Sequence, residues 1–402
     1  MGEWKNCTLA DLGEIVGGAT PSTKNESYYG GDIPWITPKD LSTHQGRYIS
    51  RGERNITKSG LASCSSRLMP KNSVLFSSRA PIGYIAIAEN DICTNQGFKS
   101  IIPNAETDYR FLYYLLLFNR DKIEALGSGT TFKEVSGSVM KNVPVSVPPF
   151  EEQRRIGQIL SALDDKIEEN NKINHNLEQT ARAVFKSWFV DFEQFGGVMP
   201  DDWTEVTLGE LCTLITKGTT PTTLKKSFVV NGINFIKAES ILENHSIDSN
   251  KIAFIDEETN KMLSRSIIKA NDILFTIAGT LGRFTIADET LTPANTNQAV
   301  AIIRVNSEKI SPLTLYSFFI GGLQKEFYNK NVQHAVQANL SLTTIKALPL
   351  LLPPKQVLEK YRNIVEPLLK QILNNFTDNQ QISNLRDSLL PRLISGELSV
   401  DG

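Results

Sequence analysis

The sequence is poor in cysteine and histidine and has no long hydrophobic run. It holds four of each among 402 residues, and none stands at the Cys-x-x-Cys or paired-histidine spacing of a metal site. No apolar run approaches the roughly 20 residues that a membrane helix needs. Scattered single cysteines are typical of a reducing compartment, and the opening residues, MGEWKNCTLADL, have the pattern of neither a signal nor a transit peptide. We therefore expect a cytosolic protein without a metal site. Each histidine is expected on the surface or in a linker: His44, His175, His245 and His334.

Sequence motifs for catalysis are also missing. There is no Walker lysine motif and no glycine-rich strand-to-helix turn in a βαβ context, which argues against ATP hydrolysis and S-adenosylmethionine binding by this chain. The stretch Val147-Pro148-Pro149-Phe150 ends like the Asn-Pro-Pro-Phe/Tyr motif of adenine methyltransferases. That motif needs a polar side chain before the prolines to accept a hydrogen bond from the flipped base. Val147 cannot do this, so we predict that the chain is not an enzyme.

Positive charge is concentrated in one part of the chain. The formal net charge is −2, but the segment from Lys39 to Arg79 has eight basic residues and only two acidic ones. Such a segment is typical of a surface that contacts phosphates. Arginine is the better candidate for guanine edges, and lysine more often contacts phosphate. The first part of the chain supplies seven predicted DNA contacts: Lys39, Arg47, Arg51, Arg54, Lys58, Arg67 and Arg79. The second part is nearly neutral, and its predicted contacts are Lys217, Lys225, Lys226, Lys237, Lys261, Arg265, Lys269 and Arg283.

The chain consists of two copies of one pattern. Six blocks recur in the same order at an offset that grows from 199 to 205 residues. The clearest are Trp4–Leu9 with Trp203–Leu208, Gly18–Pro21 with Gly218–Pro221, Asn72–Phe76 with Asn271–Phe275, and Thr94–Gln96 with Thr296–Gln298; the others are Ile33–Ile36 with Ile233–Ile236 and Pro148-Pro149 with Pro353-Pro354.

Each copy has a globular part followed by a helical part. The globular part mixes short strands, such as Val74–Phe76, Tyr84–Ala88 and Ile273–Ile277, with a helix over Tyr109–Leu126. Strands and helices do not alternate regularly, which favours an α+β fold. The predicted organisation is a globular domain over 1–149, a helix over 150–193, a second globular domain over 194–354 and a second helix over 355–402.

Both helical parts carry a coiled-coil stripe. In the first, Ile156, Leu160, Leu163, Ile167, Asn170, Asn174, Leu177, Ala181, Val184 and Trp188 alternate at spacings of four and three, and residues 205 positions later repeat the pattern. A helix of about 40 residues is about 60 Å long. If the two stripes meet antiparallel, Asn170 faces Asn379 and Asn174 faces Asn375, which would fix the register. The alternative is that these Asn side chains lie at a solvated edge. We predict two pseudo-twofold-related globular domains separated by an antiparallel two-helix coiled coil.

Taken together, the motifs resemble the specificity subunit of a type I restriction-modification enzyme. The resemblance rests on Gly31–Ile36, on Asn72–Phe76 with Gly83 downstream, on Pro148–Gln153, on Phe185–Phe192 and on the duplicated layout. It implies a non-catalytic, cytoplasmic, prokaryotic protein with two target-recognition domains that read a bipartite double-stranded DNA site. It also implies helices that space the half-sites and bind two modification (methyltransferase) subunits, which restriction subunits then join. S-adenosylmethionine, ATP and magnesium would be bound by those partners. The second copy departs from the pattern at Pro353-Pro354-Lys355-Gln356 and Asn234-Phe235.

Three alternatives stay open on the sequence alone. The repeat could be a scaffold that binds proteins and has no DNA specificity. The Thr-Asn-Gln triplets could contact bases, because Asn and Gln pair with adenine, or could bond the local backbone. Trp35 and Trp188 are expected in the core rather than as stacking platforms. Finally, Val184, Phe185, Trp188 and Phe189 exceed what one helix pair can bury, so a chain without its partners is expected to be poorly soluble.

Overall fold

The computed structural model describes residues 3–44, 46–79, 81–129, 133–324 and 339–400. His334 lies outside these ranges. The chain divides into two compact units. Unit 1 comprises Met1–Glu169 and Asp378–Gly402, and unit 2 comprises Asn170–Thr377. Each unit therefore combines one globular part with half of each of two long helices.

The globular part of unit 1 contains ten strands, six short α-helices and one 3-10 helix in the described residues. The strands are β1 (Lys5–Thr8), β2 (Gly13–Gly17), β3 (Tyr29–Ile33), β4 (Trp35–Ile36), β5 (Tyr48–Ile49), β6 (Val74–Ser78), β7 (Ile82–Ala88), β8 (Cys93–Thr94), β9 (Lys99–Pro103) and β10 (Pro144–Val147). The α-helices are Leu9–Leu12, Pro38–Thr43, Lys58–Ala62, Tyr109–Phe118, Arg120–Ala125 and Gly137–Lys141, and a 3-10 helix spans Glu26–Tyr28. The main sheet has the order β2-β9-β6-β7-β5, while β1 pairs with β10 and β4 pairs with β8.

The globular part of unit 2 repeats this plan with more 3-10 helix. Its strands are β11 (Thr204–Thr207), β12 (Cys212–Lys217), β13 (Ile233–Ile236), β14 (Ala253–Ile255), β15 (Ile273–Thr276), β16 (Phe284–Ile286), β17 (Ala294–Thr296), β18 (Val300–Val305) and β19 (Pro349–Leu352). Its α-helices are Glu257–Met262, Pro312–Ile320 and Leu342–Lys346. The 3-10 helices are Glu193–Phe195, Leu208–Leu211, Pro221–Leu224, Ala238–Ser240, Ser249–Lys251 and Ser264–Ser266. The sheets have the orders β12-β18-β15-β16 and β14-β13-β17, with β11 paired to β19.

Strand pairing repeats between the units. In unit 1, β1 pairs antiparallel with β10 so that Thr8 faces Pro144, and in unit 2 β11 pairs with β19 so that Thr207 faces Pro349. The parallel pair β4–β8 has its counterpart in the parallel pair β13–β17. The hairpin β6–β7 corresponds to β15–β16. The predicted α+β repeat is therefore confirmed.

The repeated sequence blocks form the same local turns in both units. Asn72 and Asn271 both have a left-handed backbone, with φ of 70° and 69°, a conformation that asparagine tolerates better than most residues. Thr8 with Asp11, and Thr207 with Glu210, form capping boxes at the helix that follows β1 or β11. These short motifs recur because the backbone needs the same residue types at the same places.

Three predicted helices have other bounds in the structure. The helices predicted over 150–193 and 355–402 end at Phe189 and Ile394. The helix expected over 109–126 is two helices, Tyr109–Phe118 and Arg120–Ala125. Between them, Asn119 leaves helical geometry, and its Nδ2 donates to the carbonyl of Leu115 at 2.8 Å. Asparagine competes for backbone hydrogen bonds in this way, which is why it ends helices readily.

The two long helices span Phe150–Phe189 and Lys355–Ile394, with 40 residues each. We call them the central helix and the distal helix. The double proline ends β10, and Gln153 then ties the start of the central helix to the globular part of unit 1. Its Nε2 donates to the carbonyl of Pro148 at 2.9 Å, and its Oε1 accepts from the backbone N–H of Asp108 at 3.2 Å.

Within each unit, segments of the two long helices make contacts across their stripes. In unit 2, Asn375 Nδ2 donates to Asn174 Oδ1 at 2.7 Å, and the rings of Trp188 and Tyr361 lie 5.7 Å apart. The later residue of one helix thus meets the earlier residue of the other, so the segments run antiparallel, as the stripe predicts. In unit 1, Arg386 Nη1 bonds Asp164 Oδ1 at 2.6 Å. Because Asn170 and Asn379 belong to different units, their predicted contact stays a prediction.

The apolar end of the central helix is buried within unit 2. Phe185, Trp188 and Phe189 belong to its main core, where Phe189 lies 4.6 Å from Phe318 and 4.8 Å from Tyr361, measured between ring centroids. The helix pair alone does not bury these side chains, and the globular part of unit 2 supplies the rest of their burial. The expectation of poor solubility without partner subunits stays a prediction. Trp35 and Trp188 are core residues, as predicted.

Replacing Asn174 with leucine is expected to destabilise the chain by about 1–3 kcal/mol. The change leaves the buried Asn375 Nδ2 without its acceptor, and an unsatisfied buried donor costs about that much. The Asn174→Leu/Asn375→Leu double variant should recover most of this loss, because both polar partners are then removed together. Urea unfolding checks the prediction, with the exposed Asn176→Leu as control. A double variant less stable than Asn174→Leu would contradict it.

Candidate nucleic-acid interface

An aromatic platform in unit 1 holds a proline-containing loop and one arginine. Tyr29 Oη donates to the carbonyl of Pro21 at 2.8 Å, and Trp35 Nε1 donates to the carbonyl of Ala19 at 3.0 Å. The two rings meet edge to face at 6.0 Å. Above Tyr29, the guanidinium carbon of Arg54 lies 3.6 Å from the ring centroid, in cation–π contact. Arg54 is otherwise exposed, so its N–H groups face solvent from a fixed position.

The other predicted cations of unit 1 fall into two groups. Arg51 and Lys58 are exposed and form no ion pair among the described residues. Lys39 bonds Glu53 at 2.7 Å, Arg67 pairs with Glu14, and Arg79 lies 3.6 Å from Glu134. These pairs are at least one-third exposed, and such pairs contribute little to stability and exchange readily. Arg51, Arg54 and Lys58 therefore remain the cations most available to an anion.

Arg47 is placed differently from the surface position that the sequence suggested. Only 4% of it is exposed. Its guanidinium bonds Asp165 and Glu168 of the central helix, the latter at 3.1 Å, and reaches Tyr114 Oη at 3.4 Å. Burial opposes its charge, but Tyr114 and the carboxylates outweigh burial and raise the pKa of Arg47. Arg47 ties the globular part of unit 1 to the central helix, so we leave it out of the proposed DNA surface.

A polar network that the sequence did not indicate continues from Arg47. Tyr114 Oη donates to Asp164 Oδ2 at 2.5 Å, and Asp164 also accepts from Arg386 of the distal helix. Burial of Arg386 is offset by Asp164 and Asp387, which raise the pKa of Arg386. Arg386 occupies a position of the apolar stripe, and a charged residue in that pattern is the sequence feature that could have indicated a buried ion pair. The network joins one globular part and both helices within unit 1.

The predicted cations of unit 2 are mostly exposed. Lys217, Lys225, Lys261, Arg265 and Lys269 are exposed and form no ion pair in the part of the chain that the structure describes. Lys226 bonds Glu258 at 2.9 Å, and Arg283 bonds Glu243 at 3.0 Å. Lys237 lies 3.6 Å from Glu239 and 5.1 Å from the ring centroid of Phe228. Exposure suits an anion-binding surface, but which of these residues contact DNA stays a prediction.

His245 corrects the expectation that each histidine lies on the surface or in a linker. It is 8% exposed and stacks on Phe284 with 4.1 Å between ring centroids. Its Nδ1 lies 3.2 Å from the carbonyl of Phe284, and its Nε2 lies 3.6 Å from Glu178. Burial alone would raise the pKa of Glu178, but His245 and Arg182 outweigh it and lower that pKa to about 2.

At the position where an adenine methyltransferase holds its flipped base, this chain has a core residue. Val147 lies in β10 opposite Lys5, and its side chain is buried in the core of unit 1. Among the described residues, no cluster of three or more His, Cys, Asp or Glu side chains could hold a metal ion. No helix in the same residues is long and apolar enough to cross a membrane.

Comparison with known proteins agrees with the duplicated architecture. The family described as "Type I restriction modification DNA specificity domain" matches twice, over residues 1–179 and 200–384. The chain therefore belongs to the family of type I restriction-modification DNA specificity subunits, which recognise DNA targets and are not catalytic.

Individual relatives match along nearly the whole chain. The MjaIX specificity subunit of Methanocaldococcus jannaschii is 35% identical over 99% of this chain and 94% of its own length. The HindI specificity subunit of Haemophilus influenzae is 24% identical over 99% of this chain and 100% of its own length. The crystal structure of a type I restriction-modification S subunit from M. genitalium has a TM-score of 0.62. At 17% identity, covering 98% of this chain and 96% of that one, it shows a shared fold.

Proposed function

We propose that the chain reads a bipartite, asymmetric DNA site, with one half read by the globular part of each unit. The two long helices set the distance between the halves. The observation that carries this proposal is the duplicated globular fold, in which each copy has exposed cations without an ion pair among the described residues. They are Arg51, Arg54 and Lys58 in unit 1, and Lys217, Lys225, Lys261, Arg265 and Lys269 in unit 2. Two similar modules with different side chains suit an asymmetric site.

The chemistry is assigned to partner subunits. We propose that the chain recruits two modification subunits, which flip and methylate adenine at N6 in each half-site, and restriction subunits with ATP-driven translocase and nuclease activity. S-adenosylmethionine, ATP and magnesium then belong to those partners, and the complex acts in the cytoplasm of a prokaryote. The buried side chain of Val147 supports this division, because it cannot hold a flipped base.

Duplex binding at rising salt tests the proposal. A DNA reader that neutralises several phosphates loses affinity steeply, because bound counterions are released on binding. We expect the chain with its modification subunits to show a steep linear fall of log K with log salt. A protein-binding scaffold would show little duplex binding at any salt concentration, and that result would overturn the proposal.

Replacing Arg54 with alanine is expected to weaken binding through one half-site only. If Arg54 contacts a phosphate, the slope of log K against log salt should fall by about 0.9, the amount expected for one lost contact. Fold stability should change by less than about 1 kcal/mol, because an exposed cation–π contact contributes no more. Titrations with duplexes altered in either half check the result. Arg120→Ala, an exposed arginine outside the 39–79 segment, is the control. An equal loss at both halves would count against one domain per half-site.

A further inference from the structure

One side-chain contact is repeated in both units on the exposed face of the same loop. Thr20 Oγ1 donates to Gln96 Oε1 in unit 1, and Thr220 Oγ1 donates to Gln298 Oε1 at 2.6 Å in unit 2. At Gly18 the loop passes against the residue that follows β8, and a Cβ atom there would lie 2.1 Å from the carbonyl oxygen of Asn95. At Gly218 the loop passes against the end of β17, and a Cβ atom there would lie 1.7 Å from the carbonyl oxygen of Thr296. Glycine is therefore required at both places.

The neighbouring asparagines hold the backbone under each glutamine. Asn95 Oδ1 accepts from the backbone N–H of Gly97 at 2.9 Å, and Asn297 Oδ1 accepts from that of Ala299 at 3.1 Å. Thr296 Oγ1 likewise donates to the carbonyl of Ile236 at 2.7 Å. The asparagines and Thr296 of the Thr-Asn-Gln triplets thus bond main chain, while Gln96 and Gln298 bond the hydroxyls of Thr20 and Thr220.

Stability does not explain the glutamines. Both are exposed, and in the described residues Nε2 of each has no hydrogen-bond partner. Holding a glutamine side chain in one rotamer costs up to about 2 kcal/mol of entropy, which an exposed hydrogen bond roughly offsets at best. The arrangement instead fixes the direction of an amide. Its Oε1 keeps a second lone pair free, and its Nε2 keeps two hydrogens free.

In both units, cations lie on or beside the loop that carries the threonine. In unit 1 the loop residue after Thr20 is Pro21, which bonds the Tyr29 that supports Arg54. In unit 2 the loop begins directly after the exposed Lys217 and ends at Lys225. Phosphate contacts from such side chains would bring the DNA against the loop that holds the amide.

We propose that Gln96 and Gln298 are equivalent base-reading side chains, each reading one adenine in the half-site of its own unit. The proposal rests on the proposed function and names two of its specificity-determining residues. An amide that accepts from adenine N6 and donates to N7 matches adenine in the major groove. Both half-sites then share an adenine·thymine pair, although the two globular parts otherwise differ in sequence.

A protein–DNA cycle tests this pairing. The full chain with its modification subunits is titrated with its specific duplex, and each adenine is replaced in turn by 7-deazaadenine, which lacks the N7 acceptor. For wild type, one position in each half should lower affinity about tenfold. Gln96→Ala should lose about as much affinity for the unmodified duplex, and 7-deazaadenine at one of these two positions should then have no further effect. Gln298→Ala should behave in the same way at the other position.

The controls separate this proposal from the one on which it rests. Gln194→Ala, an exposed glutamine in the link after the central helix, should retain wild-type affinity and both sensitivities. Thr20→Val keeps Gln96 but frees its amide, and should lose part of the discrimination in one half. If 7-deazaadenine affects wild type and both glutamine variants equally, the glutamines do not read adenine. If the wild-type complex binds its specific duplex no more tightly than a scrambled duplex, the proposed function itself fails.

Discussion

Replacing Arg47 with alanine is expected to lower the free energy of unfolding by about 3 kcal/mol. Arg47 is 4% exposed and bonds Asp165 and Glu168, with Asp164 3.9 Å away. Removing one partner leaves carboxylates without their countercharge in a partly buried place, and such losses typically cost 3–5 kcal/mol. Arg386 still pairs with Asp164, so the expected value lies at the lower end. Urea unfolding measures the change.

Arg51→Ala is the matched control, since Arg51 is a nearby arginine that is exposed and unpaired in the described structure. Its stability should stay within about 0.5 kcal/mol of wild type. The two variants should also differ in DNA binding. The slope of log K against log salt should be unchanged in Arg47→Ala, because a buried arginine contacts no phosphate and so displaces no counterion from the DNA. The slope should be reduced in Arg51→Ala if Arg51 contacts phosphate. A stable Arg47→Ala variant with a reduced slope would return Arg47 to the DNA surface and refute the placement described above.

Replacing Phe189 with alanine should cost about 3–5 kcal/mol, the usual range for a buried phenylalanine. Its ring lies between Phe185, Trp203, Phe318 and Tyr361, with centroid distances from 4.6 to 5.3 Å. These residues come from the central helix, the globular part of unit 2 and the distal helix. The substitution therefore removes packing among all three of these parts of unit 2. We expect weaker binding to the half-site that this unit reads.

Val190→Ala controls for the loss of an apolar side chain at nearly the same place in the chain. Val190 follows Phe189 directly but is 55% exposed, so its truncation should change stability by about 0.5 kcal/mol or less. Thermal unfolding of both variants and wild type, compared at equal concentration, gives the answer. Similar unfolding temperatures for Phe189→Ala and Val190→Ala would show that the aromatic cluster is not the core of unit 2.

The features that could be predicted from the sequence depend on local rules or on the repeat. The block that begins at Asn72 recurs at Asn271, and the two copies form the same left-handed turn in the structure. The stripe of the long helices is periodic, so it predicted the buried pair Asn174–Asn375 without knowledge of the globular parts.

The features that could not be predicted depend on residues far apart in the chain. Counting charge from Lys39 to Arg79 gave a strongly cationic segment, but Glu14, Glu134, Asp165 and Glu168 fold against it. The number of free cations is therefore smaller than the count implied. The same reason explains His245, whose partners Phe284 and Glu178 lie 39 and 67 positions away. No local pattern in the sequence indicates such contacts.

Selection of bound duplexes from a randomised pool tests the central claim most directly. The full chain with its modification subunits is used, and the recovered sequences are aligned. The account predicts two short blocks of specified bases that differ from each other and are separated by a fixed number of unspecified bases. Arg54→Ala should relax one block and leave the other unchanged. A single uninterrupted block, or no enrichment over the starting pool, would contradict a reader with one half-site per globular part.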